Sequence, residues 1–337
     1  MSENRTHDWP HVRLHVVTGK GGTGKSTVAA ALALALSTRG KNVLLCEVEG
    51  RQGIARMFDV DPLPSEERRL TTGLPAEDGT PGVVHALHID PESALLEYLS
   101  LYYKLGRAGR ALDRFGVIEF ATTIAPGVRD VLLTGKLFEA VERNSRNKGA
   151  IQYDAVVLDA PPTGRIVQFL NVSNELAGLA KVGPIKSQSD TMMTLFRSPR
   201  TAVHLVTVLE EMPVQETADG IAQLRSVDLP VGGVVVNLIR PQDLADDALA
   251  AARRGSIDRD RVAADLEAAG VRHDAVLVDG LLDEARDHAE RRALEDSQRA
   301  VVADLDVPTY ELPRLPMGVD LGALYELAAS LREQGMA

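Results

Sequence analysis

Nine residues near the start of the chain, Gly19-Lys20-Gly21-Gly22-Thr23-Gly24-Lys25-Ser26-Thr27, limit what it can fold into more than any other feature. They fit the spacing G-x-x-x-x-G-K-[ST] through Gly19, Gly24, Lys25 and Ser26, and they lie between the β-branched run Val12 to Thr18 and the helix-forming run Thr27 to Leu36. Glycines let a backbone curl so that successive N–H groups face one anion, and the following helix turns its positive end toward the same point. Strand, glycine loop and helix in this order predict a phosphate cradle. Within it, Lys25 would set a cation between β- and γ-phosphates and the Ser26 hydroxyl would coordinate Mg²⁺. Gly21, Gly22, Thr23, Gly24 and Thr27 complete the expected nucleotide-binding stretch.

Further short β-branched runs, Val43 to Val48, Val83 to Ile89, Ala155 to Leu158, Ala202 to Val208 and Val231 to Leu238, alternate with helical patterns. A last strand is expected near Pro308 to Leu312, before a C-terminal helix from about Asp320. This rhythm predicts an α/β fold of the P-loop NTPase class, a mostly parallel sheet covered by helices on both faces. The whole of 1–337 reads as one such domain. Two stretches, 91–144 and 174–200, break the rhythm and predict an inserted helical subdomain. The first carries Tyr98, Tyr102, Tyr103, Phe115 and Phe120; the second carries Met192, Met193, Leu195 and Phe196. Ordinary helix packing accounts for these side chains as well as a partner surface does. Pro241 to Asp306, dense in Asp, Glu and Arg, reads as amphipathic helices with a solvated face.

Composition removes several classes of function. A net charge of -11 argues against non-specific nucleic-acid binding, which needs clustered Lys and Arg. A single cysteine, Cys46, rules out an intramolecular disulfide and any metal clamp that needs several thiolates from this chain, and it fits a cytoplasmic setting. Val28 to Leu36 is too short to span a bilayer, which takes about 20 apolar residues, so no integral membrane segment is expected and any membrane contact would be peripheral. Met1 to Val12 is polar and reads as a disordered lead-in.

Two further positions belong to the predicted site. Asp159 stands at the end of the strand Ala155 to Leu158 and opens Asp159-Ala160-Pro161-Pro162-Thr163-Gly164-Arg165. A strand-end carboxylate there can hold the magnesium or its water, while the Pro-Thr-Gly turn responds to the γ-phosphate as switch II. Capping a turn is the plainer role for such an Asp. Asn237 ends the strand Val231 to Leu238, where its amide could read an adenine edge by donating and accepting, or could simply shape a turn.

Lys20 makes the loop resemble the deviant class K-G-G-x-G-K-[ST], which includes partition, division-site, arsenite-pump and tail-anchored-protein-targeting ATPases. In that class the early lysine reaches across a dimer to the partner's nucleotide, and the resemblance implies this role for Lys20; a solvated loop lysine is the alternative. Asp159 to Leu170 resembles the D-T-A-P-T-G-H-T-L-R-F-L segment of the arsenite-pump and tail-anchored-targeting ATPases in particular. The likeness extends over nearly the whole chain, through Thr207 to Thr217 before a helix, Val235-Val236-Asn237, and Leu312-Pro313. It implies that Asn237 recognises adenine and that Leu312 and Pro313 flank the base. Most of all the chain resembles one member of an actinobacterial pair of such ATPases, whose two paralogues associate.

Switch I departs from that family. Its D-P-A-H turn, whose Asp polarises the attacking water, is replaced by Glu49-Gly50-Arg51-Gln52. Glu49 is the candidate for the Asp role, with hydrolysis slowed by the longer side chain. Glu47, two residues earlier on the same strand face, could exchange with it, and Arg51 could meet a phosphate, an opposing subunit or a surface carboxylate. The resulting expectation is an ATPase using ATP/ADP and Mg²⁺, working as a homodimer or as a heterodimer with a paralogous ATPase, and coupling nucleotide state to a protein client. The alternative is a weakly hydrolysing scaffold that supports a more active paralogue.

Overall fold

The computed structural model describes residues 8–48, 52–75, 79–91, 93–94, 126–143, 149–171, 184–316 and 318–337. Eight strands form one sheet: β1 Leu14–Gly19, β2 Asn42–Glu47, β3 Arg68–Pro75, β4 Pro81–His88, β5 Ala155–Asp159, β6 Thr201–Thr207, β7 Val231–Ile239 and β8 Thr309–Pro313. Their order is β3-β4-β2-β5-β1-β6-β7-β8, and every neighbouring pair is parallel except β3 with β4. β1 therefore lies between β5 and β6, with chain excursions leaving it toward both edges. Open α/β sheets bind their ligands at the carboxyl ends of strands beside such a switch point.

Ten helices are named among the described residues: α1 Lys25–Leu36, α2 Gly53–Met57, α3 Pro126–Glu142, α4 Thr163–Leu170, α5 Pro184–Phe196, α6 Glu211–Ser226, α7 Asp246–Arg253, α8 Arg259–Ala268, α9 Ala275–Ala303 and α10 Leu321–Glu333. Strand residues alternate between two cores, as a period of two requires. Leu14, Val16, Leu44, Cys46, Val156, Leu158, Val203 and Leu205 face α3, α4, α5 and α6. Val17, Val43, Leu45, Val157, Val206, Val235 and Leu312 face α1 and α10. Helix α1 is buried from Val28 to Leu36 because it lies between the sheet and α10, which explains an apolar run with no polar face.

The strand pattern read from the sequence reappears, with β1 starting at Leu14 rather than Val12. One strand is added. β3, Arg68–Pro75, is an antiparallel edge strand with mixed exposure and bulged pairing to β4, so it carries no continuous apolar run. The acidic C-terminal stretch forms α7, α8 and α9, with Asp258 and Asp274 accepting N-terminal backbone N–H groups of α8 and α9. Residues 8–12 do not behave as a loose lead-in: Trp9 Nε1 donates to the Tyr310 hydroxyl at 3.0 Å, and that hydroxyl donates to Asp8 Oδ2 at 2.6 Å.

Of the stretches 91–144 and 174–200, the named helices are α3 and α5, while Tyr98, Tyr102, Tyr103, Phe115 and Phe120 lie outside the described residues. Met192, Met193, Leu195 and Phe196 are buried in the first core. No helix among the described residues is long and apolar enough to cross a membrane.

Candidate functional site

The glycine loop joins the end of β1 to the start of α1. Gly22 and Gly24 have φ of 91° and 88°, a region that side chains with Cβ atoms rarely enter. Gly24 is doubly constrained, since a Cβ there would fall 2.3 Å from Asn237 Nδ2. Thr23 closes the turn on Lys20, its Oγ1 donating to the Lys20 carbonyl at 2.9 Å, and Val28 N–H donates to the Gly24 carbonyl at 3.0 Å to begin the helix. Lys25 is the first residue of α1 and forms no ion pair with any described residue. The loop backbone and the helix end thus converge on one concave turn, which suits an anion.

The two lysines of the loop are placed differently. Lys20 forms an ion pair with Glu216 of α6, both side chains about one-third exposed. The stretch Thr207 to Thr217, expected to precede a helix, contains the first turns of α6 itself, and this is how Glu216 comes to face the loop.

Carboxylates gather next to Ser26. Its hydroxyl donates to Asp159 Oδ2 at 2.5 Å. Glu47 is the parallel-strand partner of Asp159, and it is 2% exposed. Glu47 Oε1 accepts from the Gly53 N–H at 2.9 Å, and Oε2 is buried without a hydrogen-bond partner. Burial pushes the Glu47 carboxyl up to about 7 and the nearby Asp159 charge adds to it, while the Gly53 and Ile54 N–H groups and the Arg56 charge oppose it. Glu49 and Arg51 lie outside the described residues. Asp159 continues into the switch II turn, which Thr18 Oγ1 anchors by donating to the Pro161 carbonyl at 2.7 Å.

At the far side of the loop, buried Asn237 donates from Nδ2 to the Thr23 carbonyl at 2.9 Å. The amide that was expected to face a base braces the phosphate loop. Leu312 is fully buried in the second core, and Pro313, which follows it, is exposed and pairs in register with Ile239.

A family model described as anion-transporting ATPase matches residues 12–199, which contain the glycine loop, Glu47 and the switch II turn. The chain belongs to this family. A Mycobacterium tuberculosis protein named ATPase BagA is 53% identical over 332 residues, covering 97% of this chain and 96% of that protein. An Aquifex aeolicus protein, whose name carries the words arsenical pump-driving ATPase, is 24% identical over 269 residues, covering 71% of this chain and 84% of its own. Like its family, the chain is an ATPase, built on a P-loop NTPase fold.

Sequence reasoning passed over Glu216 and Asp130. Asp130 of α3 is buried and pairs at 3.6 Å with Arg165 of α4, the residue that ends the switch II turn. Neither acid has a local signature, since each is one more carboxylate in a helix of mixed polarity.

Proposed function

We propose that this ATPase is a Mg²⁺-dependent dimeric switch: ATP draws two subunits together, hydrolysis releases them, and the change reshapes a surface for a protein client. The observation that carries this reading is the separation of the two loop lysines. Lys25 opens α1, where a cation can meet the β- and γ-phosphates. Lys20 is turned to the part-exposed Glu216, a second cation beyond what one phosphate cradle needs. A lysine at that edge is suited to a nucleotide held by a facing subunit, as the resemblance to the K-G-G-x-G-K-[ST] class implies.

In this scheme the loop N–H groups and Lys25 would hold the phosphates, and Ser26 with Asp159 would hold Mg²⁺. The donors fit the ion: they are hard oxygens, already in contact at 2.5 Å. Among the described residues no group of three His, Cys, Asp or Glu could hold a metal alone, so the phosphates would supply the remaining ligands. Magnesium neutralises charge on the β- and γ-phosphates when bound. Glu49 orients the water that attacks the γ-phosphorus, the bond to the β–γ bridging oxygen breaks, and ADP leaves with inorganic phosphate. Asn237 reads the adenine edge, and the Leu312-Pro313 segment flanks the base. Switch II would pass its movement to α3 through the Arg165–Asp130 pair.

Arsenite does not suit this chain as cargo. Cys46, its sole cysteine, is fully buried in β2, and burial holds its thiol far above the ordinary range. In the stretch after switch II, Met192 and Met193 are spent on core packing rather than on an open groove.

The test is ATP turnover with Mg²⁺ across a range of subunit concentrations, for the protein alone and mixed with a paralogous ATPase, in wild type and Lys20→Ala. A rate per subunit that rises with concentration and is lost in Lys20→Ala supports the dimeric switch. Bound ATP with negligible turnover in every mixture would replace it with a nucleotide-binding scaffold.

A further inference from the structure

The position of Glu47 deepens that reading. Its strand, β2, lies next to β5, and the register sets Glu47 directly across from Asp159 at the same carboxyl edge of the sheet. A Cβ built on Gly53 would lie 3.6 Å from Glu47 Oε1 and 4.0 Å from Ser26 Oγ, so the turn at Gly53 brings Glu47 and Ser26 to the same small space. Oε1 is used by the Gly53 N–H, the Ile54 N–H also favours the charged carboxylate, and Oε2 is buried with no partner at hydrogen-bond distance. A buried acceptor with no donor is costly unless something fills its place in the working state. Glu47 thus lies at the same sheet edge as the Ser26–Asp159 pair.

We propose that Glu47 is a positioning residue for the nucleotide-bound magnesium, its Oε2 accepting a hydrogen bond from a water on the ion. The inference rests on the reading that Ser26 and Asp159 hold Mg²⁺. It assigns Glu47 its own task beside the ion, and leaves orientation of the attacking water to Glu49. Magnesium keeps several of its waters when bound to a nucleotide, and those waters need acceptors. A buried carboxylate with one oxygen fixed by backbone and the other open is such an acceptor, and it aligns an ion-bound water without touching the metal. Outer ligands of this kind typically set metal affinity by 10- to 100-fold.

Glu47→Gln separates this task from a purely structural one. Its amide oxygen still accepts from the Gly53 N–H, while the NH₂ that replaces Oε2 turns a donor toward the ion's water. The readout is binding of a fluorescent ATP analogue during a Mg²⁺ titration that starts in EDTA. We expect the Mg²⁺ midpoint to rise about tenfold or more in Glu47→Gln, with metal-free binding of the analogue unchanged. A midpoint within twofold of wild type overturns the inference. Asp159→Asn is the control for the reading beneath it: if that variant also keeps the wild-type midpoint, the ion is not held at Ser26 and Asp159 at all. Should Glu47→Gln fail to fold, a crystal structure of the wild type with Mg²⁺ and ADP decides. An ion-bound water within hydrogen-bond reach of Oε2 supports the assignment, and its absence sinks it.

Discussion

Lys20 of the glycine loop and Glu216 of helix α6, 196 residues apart in sequence, form an ion pair at the edge of the nucleotide site. The lysine proposed to serve a facing subunit is thus held within its own subunit. For Lys20 to reach across a dimer, this pair must open.

Glu216→Gln is therefore expected to favour the dimer. The pair is about one-third exposed, and such pairs contribute on the order of 1 kcal/mol or less. The subunit concentration that gives half-maximal ATP turnover should fall by up to about fivefold. A concentration dependence unchanged from wild type would show that the pair does not restrain Lys20.

Lys25→Ala should weaken nucleotide binding far more than Lys20→Ala at low subunit concentration. A charge-assisted contact to phosphate is worth about 1.5–3 kcal/mol, or roughly 10- to 100-fold in affinity. Calorimetric titration with ATP compares the two; equal losses would contradict the division of labour between the lysines.

Gly24→Ala should abolish tight nucleotide binding, because it meets both a φ of 88° and Asn237 Nδ2 at 2.3 Å. Gly220→Ala tests a different contact. Its Cβ would fall 2.4 Å from Thr163 Cγ2, where α6 meets the switch II helix α4. Overpacking there is expected to cost about 1–3 kcal/mol in a denaturant melt. A melt like that of wild type would mean the two helices separate easily.

Acid should destabilise the protein partly through His204. This fully buried ring stacks on His15, meets the edge of Trp9, and accepts from the Gly233 N–H at Nδ1, 3.1 Å away. His15 Nδ1 lies 3.1 Å from its Nε2, so the neutral tautomer of His204 bears its proton on Nε2. Burial lowers its pKa to about 3. Between that value and the ordinary 6.5 the unfolded chain binds the extra proton, so stability is lost as pH falls through this window. His204→Gln should make the fall in melting temperature between pH 7 and pH 5 shallower than in wild type. An identical slope would place the acid sensitivity elsewhere.

The phosphate loop, most of the strands and the switch II turn were readable from the amino-acid sequence because their signals are local. Gly19 to Thr27 fixes a turn by backbone freedom, and short β-branched runs between helical patterns mark a parallel sheet buried on both faces. Asp159 was legible for the same reason, since it ends such a run. β3 was not, because an antiparallel edge strand with one solvated side needs no apolar run and takes its place from pairing with β4.

Tertiary structure alone decided the contacts made within the site. Glu47 faces Asp159 because of the register between β2 and β5, and its open Oε2 follows from a turn at Gly53 that no spacing rule encodes. Glu216 reaches Lys20, and Asn237 reaches Thr23, because β6 lies beside β1 and β7 follows beside β6 in the sheet order. A sequence specifies the chemistry each residue brings; strand order and register set the distances at which those groups meet, and contacts across them depend on the whole fold.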